Sequence, residues 1–104
     1  MNLNNIINRI KSISPNIIFV GEFDDNNQKM GYWEVYWDND NLRSKGNYVK
    51  GKEEGYWEFY YSNGNFEMKG NYLNGLRDGY WEKYYRNGNL MRKRDYVKAK
   101  KEGI

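Results

Sequence analysis

The sequence predicts a mainly β protein: an antiparallel meander of β-hairpins with a 24-residue period, preceded by a short amphipathic helix. Three observations carry this reading. Gly31-Tyr32-Trp33-Glu34 recurs as Gly55-Tyr56-Trp57-Glu58 and as Gly79-Tyr80-Trp81-Glu82, and a fixed period of this length marks a repeat architecture. Asn63-Gly64 and Asn87-Gly88 separate aromatic-rich segments, which is a hairpin signal. The 104 residues are only 38% hydrophobic yet 18% aromatic, so a core has to be built from rings.

Taken in order, Leu3, Ile6, Ile7, Ile10 and Ile13 have helical spacing and Pro15 ends the run, which predicts a helix over Met1–Ser14. Residues 17–30 form a half-repeat cap, because Gly21-Glu22-Phe23 resembles Gly46-Asn47-Tyr48, with one extra residue before Gly31. Three hairpin repeats follow at 31–54, 55–78 and 79–102, all within one domain. Columns of Tyr36, Tyr60 and Tyr84, of Asn39, Asn63 and Asn87, of Asn41, Asn65 and Asn89, and of Tyr48, Tyr72 and Tyr96 run through them without a gap.

A two-residue type I′ turn at Asn63-Gly64 would pair Tyr61 with Phe66, Phe59 with Met68 and Trp57 with Gly70. In the first repeat it would pair Trp37 with Leu42 and Trp33 with Gly46. This face is apolar and is expected to be the core, each indole covering the glycine opposite. The other face would pair Glu34 with Lys45, Glu58 with Lys69 and Glu82 with Lys93, a charge match that supports the register. The third repeat departs at Lys83, Arg94 and Ala99, as a terminal repeat facing solvent is expected to.

Several function classes fall away. There is no cysteine and no histidine, which removes thiolate chemistry and the commonest general base. The carboxylates of Asp24-Asp25 and Glu53-Glu54 fall in predicted turns and read as solvated. The Glu34, Glu58 and Glu82 column faces lysines, so structural pairing is preferred to metal binding. No cofactor is implied, and the protein reads as a non-enzyme. The longest apolar run, Ile17–Val20, is far too short to span a membrane, and the N-terminus lacks the apolar core of a signal peptide. A cytoplasmic location is therefore expected.

Two surfaces remain as candidates. Tyr32, Tyr36, Tyr56, Tyr60, Tyr80 and Tyr84 share the polar face, and tyrosine gives contact area at low entropic cost. Arg92, Lys93, Arg94, Lys98, Lys100 and Lys101 make the end of the chain basic, although the whole carries only +3. That tail could meet anionic lipid or, less favoured, nucleic acid; a solvated edge is the preferred reading.

The repeat resembles the MORN repeat, and more closely its variant in YwqK-type antitoxin proteins. Gly55, Trp57, Tyr60, Tyr61, Asn63, Gly64, Phe66, Gly70, Tyr72, Asn74 and Gly75 carry the likeness, and Gly79, Trp81, Tyr84, Tyr85, Asn87, Gly88 and Leu90 repeat it. The first unit has Asp40 where the turn glycine belongs. The resemblance implies an elongated, twisted antiparallel sheet and a role as a scaffold, a lipid-surface binder or the immunity partner of a toxin. It brings no catalytic residues. The expected function is a protein-binding module, antitoxin- or inhibitor-like, whose partner is a toxin or a defence or effector enzyme. The alternative is lipid or nucleic-acid binding through the tail.

Overall fold

A computed structural model describes residues 18–97. The helix expected over 1–14 lies outside the described residues, as do Lys98, Ala99, Lys100 and Lys101. Seven strands follow one another: β1 (Ile18–Phe23), β2 (Lys29–Tyr36), β3 (Leu42–Val49), β4 (Lys52–Tyr60), β5 (Phe66–Leu73), β6 (Leu76–Tyr84) and β7 (Leu90–Tyr96). They form one open sheet in chain order, every neighbour antiparallel. This is the expected meander, and no helix occurs among the described residues.

The turn chemistry at Asn63-Gly64 differs from the expectation. Within each repeat the strands are joined by a three-residue loop, not a two-residue one. Tyr61 N–H donates to Asn65 O and Gly64 N–H to Tyr61 O, at 2.8 and 3.0 Å, with Gly64 at φ 94°. This is a type I turn closed by a left-handed residue. The same loop follows Asp24, Trp37 and Tyr85. The left-handed position there is filled by Asn27, Asp40 and Gly88. The two-residue turns join one hairpin to the next, at Lys50-Gly51 and Asn74-Gly75, where both residues have positive φ, the signature of type I′. The extra residue before Gly31 is thereby explained: β1 and β2 are joined by the longer loop.

The longer loop adds a bulge, so the inferred pairing holds through most of the hairpin and fails beside the turn. Trp57 pairs with Gly70, Glu58 with Lys69 and Phe59 with Met68, but Phe66 pairs with Tyr60 rather than Tyr61. Leu42 likewise pairs with Tyr36 rather than Trp37. Phe66 therefore belongs to the tyrosine face, stacked on Tyr60 with centroids 4.9 Å apart.

Trp33, Trp57, Trp81 and Tyr96 are the buried large side chains among the described residues. A single sheet buries them by alternating indoles with tyrosines. Trp33, Tyr48, Trp57, Tyr72, Trp81 and Tyr96 follow one another edge to face, at centroid spacings of 5.9, 5.0, 6.1, 5.0 and 6.5 Å. T-shaped pairs set the positive edge of one ring against the negative face of the next.

The covered glycine is not the one expected. Trp33 is paired with Gly46 and Trp57 with Gly70. Yet a Cβ added at Gly21, Gly46 or Gly70 would overlap the ring of Trp33, Trp57 or Trp81 respectively. Each indole thus lies over the glycine of the strand before it. Arg94 is tolerated because no described indole follows to lie on it.

Other bonds run forward in the same way. Trp37 Nε1 donates to Tyr60 O at 3.1 Å and Tyr61 Oη to Tyr84 O at 2.6 Å. Asn39 and Asn41 both donate to Ser62 O, and Asn63 and Asn65 both to Arg86 O. The asparagine columns are therefore a ladder joining one turn to the next.

Candidate functional site

Alternate residues of a strand share a face about 6.8 Å apart, so the Tyr-x-Glu-x-Tyr spacing places a carboxylate between two phenols. Tyr32 and Tyr36 donate to the two oxygens of Glu34 at 2.8 and 2.6 Å. Tyr56 and Tyr60 do the same to Glu58, and Tyr80 and Tyr84 to Glu82. All six tyrosines predicted as a binding surface come together on this face, each hydroxyl held by the carboxylate on its own strand.

Lysines complete the clips, from the preceding hairpin rather than the same one. Lys45 reaches Glu58 at 3.3 Å and Lys69 reaches Glu82 at 3.8 Å. The registered pairs Glu34–Lys45, Glu58–Lys69 and Glu82–Lys93 exist as strand partners, but the close ion pairs cross to the next repeat. Lys69 Nζ also lies 4.4 Å from the centroid of Phe66. Phe66 bridges Tyr60 and Tyr84, at 4.9 and 5.9 Å.

The two members of each clip differ. Tyr32, Tyr56 and Tyr80 are 49%, 50% and 49% exposed, whereas Tyr36, Tyr60 and Tyr84 are half-buried. The exposed three sit on every second strand, roughly 10 Å apart. Between Tyr32 and Tyr56 lies a shallow groove of 160 Å³ edged by Lys45 and Glu58.

The clips push ionisation away from neutrality. Hydrogen bonds from Tyr36 and then Tyr32 hold the Glu34 carboxyl below its ordinary value. Partial burial pushes Glu58 up, but the bonds from Tyr60, Tyr56 and Lys45 outweigh it and the net shift is downward. Glu82 is lowered chiefly by Tyr84. Burial, reinforced by the Glu34 bond, pushes Tyr32 up to about 12; the Glu34 bond does the same to Tyr36. Burial raises Tyr56 to about 12 and raises Tyr60 further, and the Glu82 bond lifts Tyr84 to about 12. General acid–base work needs groups tuned toward the working pH; these are tuned the other way. What the arrangement offers is a set of phenol rings with fixed orientation. Among the described residues no three His, Cys, Asp or Glu side chains converge as metal ligands.

Among the described residues the basic tail divides between the two faces. Lys93 pairs with Glu82 on the tyrosine face, while Arg92 and Arg94 pair with Lys83 and Trp81 on the tryptophan face. Lys98, Lys100 and Lys101 lie outside the described residues. Sequence reasoning missed Phe66 on the tyrosine face and Arg77 on the other. The register error hid the first. The second was open to column comparison, since Lys29 and Glu53 occupy the positions equivalent to Arg77.

Residues 31–50, 53–74 and 77–98 each match the MORN repeat variant, together well over half of the chain. No curated protein and no solved structure shows a significant match.

Proposed function

This chain belongs to the MORN repeat variant family, and from that membership and the geometry of its tyrosine face we propose that it is a protein-docking module. MORN repeats are commonly protein- or membrane-binding modules. The observation that carries the protein reading is the threefold clip: Tyr32, Tyr56 and Tyr80 stand half exposed at a regular interval, their hydroxyls already held by Glu34, Glu58 and Glu82. Rings with fixed orientation lose little entropy on docking, and tyrosine is enriched among residues that dominate interfaces. Tyr36, Tyr60 and Tyr84 act as supports, steadying the carboxylates and contributing ring edges.

The mechanism is steric. The sheet covers a surface of a partner protein and blocks or organises it, with no chemistry of its own. A toxin or a defence or effector enzyme is the partner class that the antitoxin-type resemblance supports. The test is affinity capture from the native source with mass spectrometry, using wild-type protein and the Tyr32→Ser/Tyr56→Ser/Tyr80→Ser variant. A protein captured by the first and lost by the second, with unchanged tryptophan fluorescence, is the expected result. A partner retained equally by both removes this face as the interface.

A further inference from the structure

Two asparagines on the tyrosine face stand apart from the others. Asn39, Asn41, Asn63 and Asn65 serve the ladder between turns. Asn47 and Asn71 are exposed, and their side-chain amides are bonded to nothing among the described residues. Each is the strand partner of an exposed ring, Asn47 of Tyr32 and Asn71 of Tyr56. From the opposite face, Trp57 Nε1 and Trp81 Nε1 pin their backbone carbonyls, at 3.1 and 2.9 Å.

Asn47 lines the groove of 160 Å³ between Tyr32 and Tyr56, with Gly46 beside it and Lys45 and Glu58 at the edge. Tyr56, Lys69, Gly70, Asn71, Tyr80 and Glu82 are the same residues one period on. The register slips at the equivalent place in both, between Lys45 and Asn47 and between Gly70 and Asn71, so the second gap repeats the first and Tyr56 is a wall of each. The hydroxyls of Tyr32, Tyr56 and Tyr80 are tied to carboxylates two residues along the same strands. Each ring therefore lies along its own strand and stands as a ridge to a chain that crosses the sheet. The charges at the edges are matched, Lys45 with Glu58 at 3.3 Å and Lys69 with Glu82 at 3.8 Å. A gap walled by phenols, edged by paired charge and holding one free amide suits an uncharged group that accepts a hydrogen bond. Its volume is well below the roughly 300 Å³ of a drug-sized pocket, so it takes a single small ring or side chain.

The interval between ridges selects the conformation of the occupant. The ridges recur roughly every 10 Å. An extended β-strand presents the same side again after about 6.8 Å, out of step with them. A polyproline II helix does so every third residue, after about 9.3 Å. It makes no internal hydrogen bonds, so its carbonyls are open to a donor. Aromatic-lined grooves take such segments at low ordering cost. Beside Tyr80 the strand partner is Asp95, whose carboxylate cannot donate, so the row of donors ends after two gaps.

Resting on the docking role of this face, we propose that the partner segment it takes is a proline-rich stretch in the polyproline II conformation, laid across the strands. Prolines three residues apart enter the Tyr32–Tyr56 and Tyr56–Tyr80 gaps, and the Asn47 and Asn71 amides donate to carbonyls of the same segment.

The experiment is fluorescence anisotropy of labelled decaproline with the full chain, at about 0.15 M salt. The controls are peptides of equal length, one of glycine and serine and one alternating lysine with serine. Decaproline should bind with Kd below about 1 mM and at least about tenfold tighter than either control. Asn47→Asp/Asn71→Asp installs the residue that β7 carries in the same column, so the fold accommodates it; shape and acceptor are kept and the donor is lost. This variant should bind at least about tenfold more weakly. Tyr56→Ser, which removes the wall common to both gaps, should abolish binding, with near-ultraviolet circular dichroism unchanged in both variants. Equal binding of decaproline and the glycine-serine peptide, tighter binding of the lysine peptide, or an unchanged affinity in either variant would each overturn the proposal. Decaproline that fails to bind, while a partner protein is still captured through Tyr32, Tyr56 and Tyr80, overturns this inference and leaves the docking role standing.

Discussion

Gly46→Ala should destabilise the protein far more than its small size suggests, while Arg94→Ala, in the equivalent column, should not. A Cβ on residue 46 would fall within the envelope of Cγ, Cδ2 and Cε2 of Trp57. To restore ordinary carbon contact the indole must retreat by on the order of 1.5 Å. It has little room: Tyr48 and Tyr72 press on it edge to face at 5.0 and 6.1 Å, Phe59 stacks at 5.8 Å, and Nε1 is tied to Asn47 O at 3.1 Å. Overpacking of this kind costs about 1–3 kcal/mol, and loosening the indole hydrogen bond adds about 0.5–1.5 kcal/mol. Replacing glycine within a strand returns about 0.5–1 kcal/mol. The net is a loss of about 2 kcal/mol, which for a domain of this size lowers the melting temperature by about 8–16 °C. Arg94→Ala should change stability by no more than about 0.5 kcal/mol. Thermal melts followed by near-ultraviolet circular dichroism report the aromatic ladder directly. A Gly46→Ala protein as stable as wild type, or an Arg94→Ala protein as damaged as Gly46→Ala, would refute the forward-stacking argument.

Asp40→Gly should stabilise by about 0.5–1 kcal/mol, because Asp40 holds φ 73° where the sibling loops have Gly64 and Gly88, and glycine meets no steric penalty there; the midpoint of urea unfolding measures it. Asn63→Ala should cost about 0.5–1.5 kcal/mol more than Asn87→Ala. Both side chains accept from the backbone two residues on, but Asn63 also donates across to Arg86 O; paired urea titrations decide, and equal losses would remove the ladder. The lowered folded values of Glu34, Glu58 and Glu82 make these groups stabilising above the ordinary carboxyl value of 4.5, and that contribution is lost as pH falls through the folded values. Tyr32, Tyr36, Tyr56 and Tyr84 are raised from 10.0 to about 12. The folded state therefore keeps protons that the unfolded state releases, and stability declines as pH climbs from about 10 to about 12. Phenolate absorbance against pH should show this late ionisation, and simple titration of every tyrosine near 10 would contradict the clips.

The repeat made much of this fold legible. Hydrophobic alternation and the Glu34–Lys45, Glu58–Lys69 and Glu82–Lys93 matches fixed which residues share a strand pair, and six tyrosines reached the face assigned to them. What the sequence hid was direction. Gly46 has an indole on each side, Trp33 in its own hairpin and Trp57 in the next, and both are strand neighbours; only side-chain tilt decides that Trp57 covers it. Lys45 similarly stands between Glu34 and Glu58. The turns were misread for a related reason. Asn63-Gly64 and Asn74-Gly75 are the same dipeptide, yet Asn74 takes a positive φ while Asn63 remains outside that region and its side chain binds the next turn. Phe66 changed faces because one bulge residue, Glu67, separates Phe66 from Met68, the partners of the adjacent Tyr60 and Phe59.

The central claim is a division of labour, with the tryptophan face holding the fold and the tyrosine face holding a partner. Hydroxyl-radical footprinting of the complex with the captured partner tests it most directly. Tyr32, Tyr56 and Tyr80 should become protected on binding, while the already buried Trp33, Trp57 and Trp81 should keep the reactivity they have in the free protein. Protection confined to Met68, Arg92 and their neighbours, with Tyr32, Tyr56 and Tyr80 as reactive as before, would contradict it.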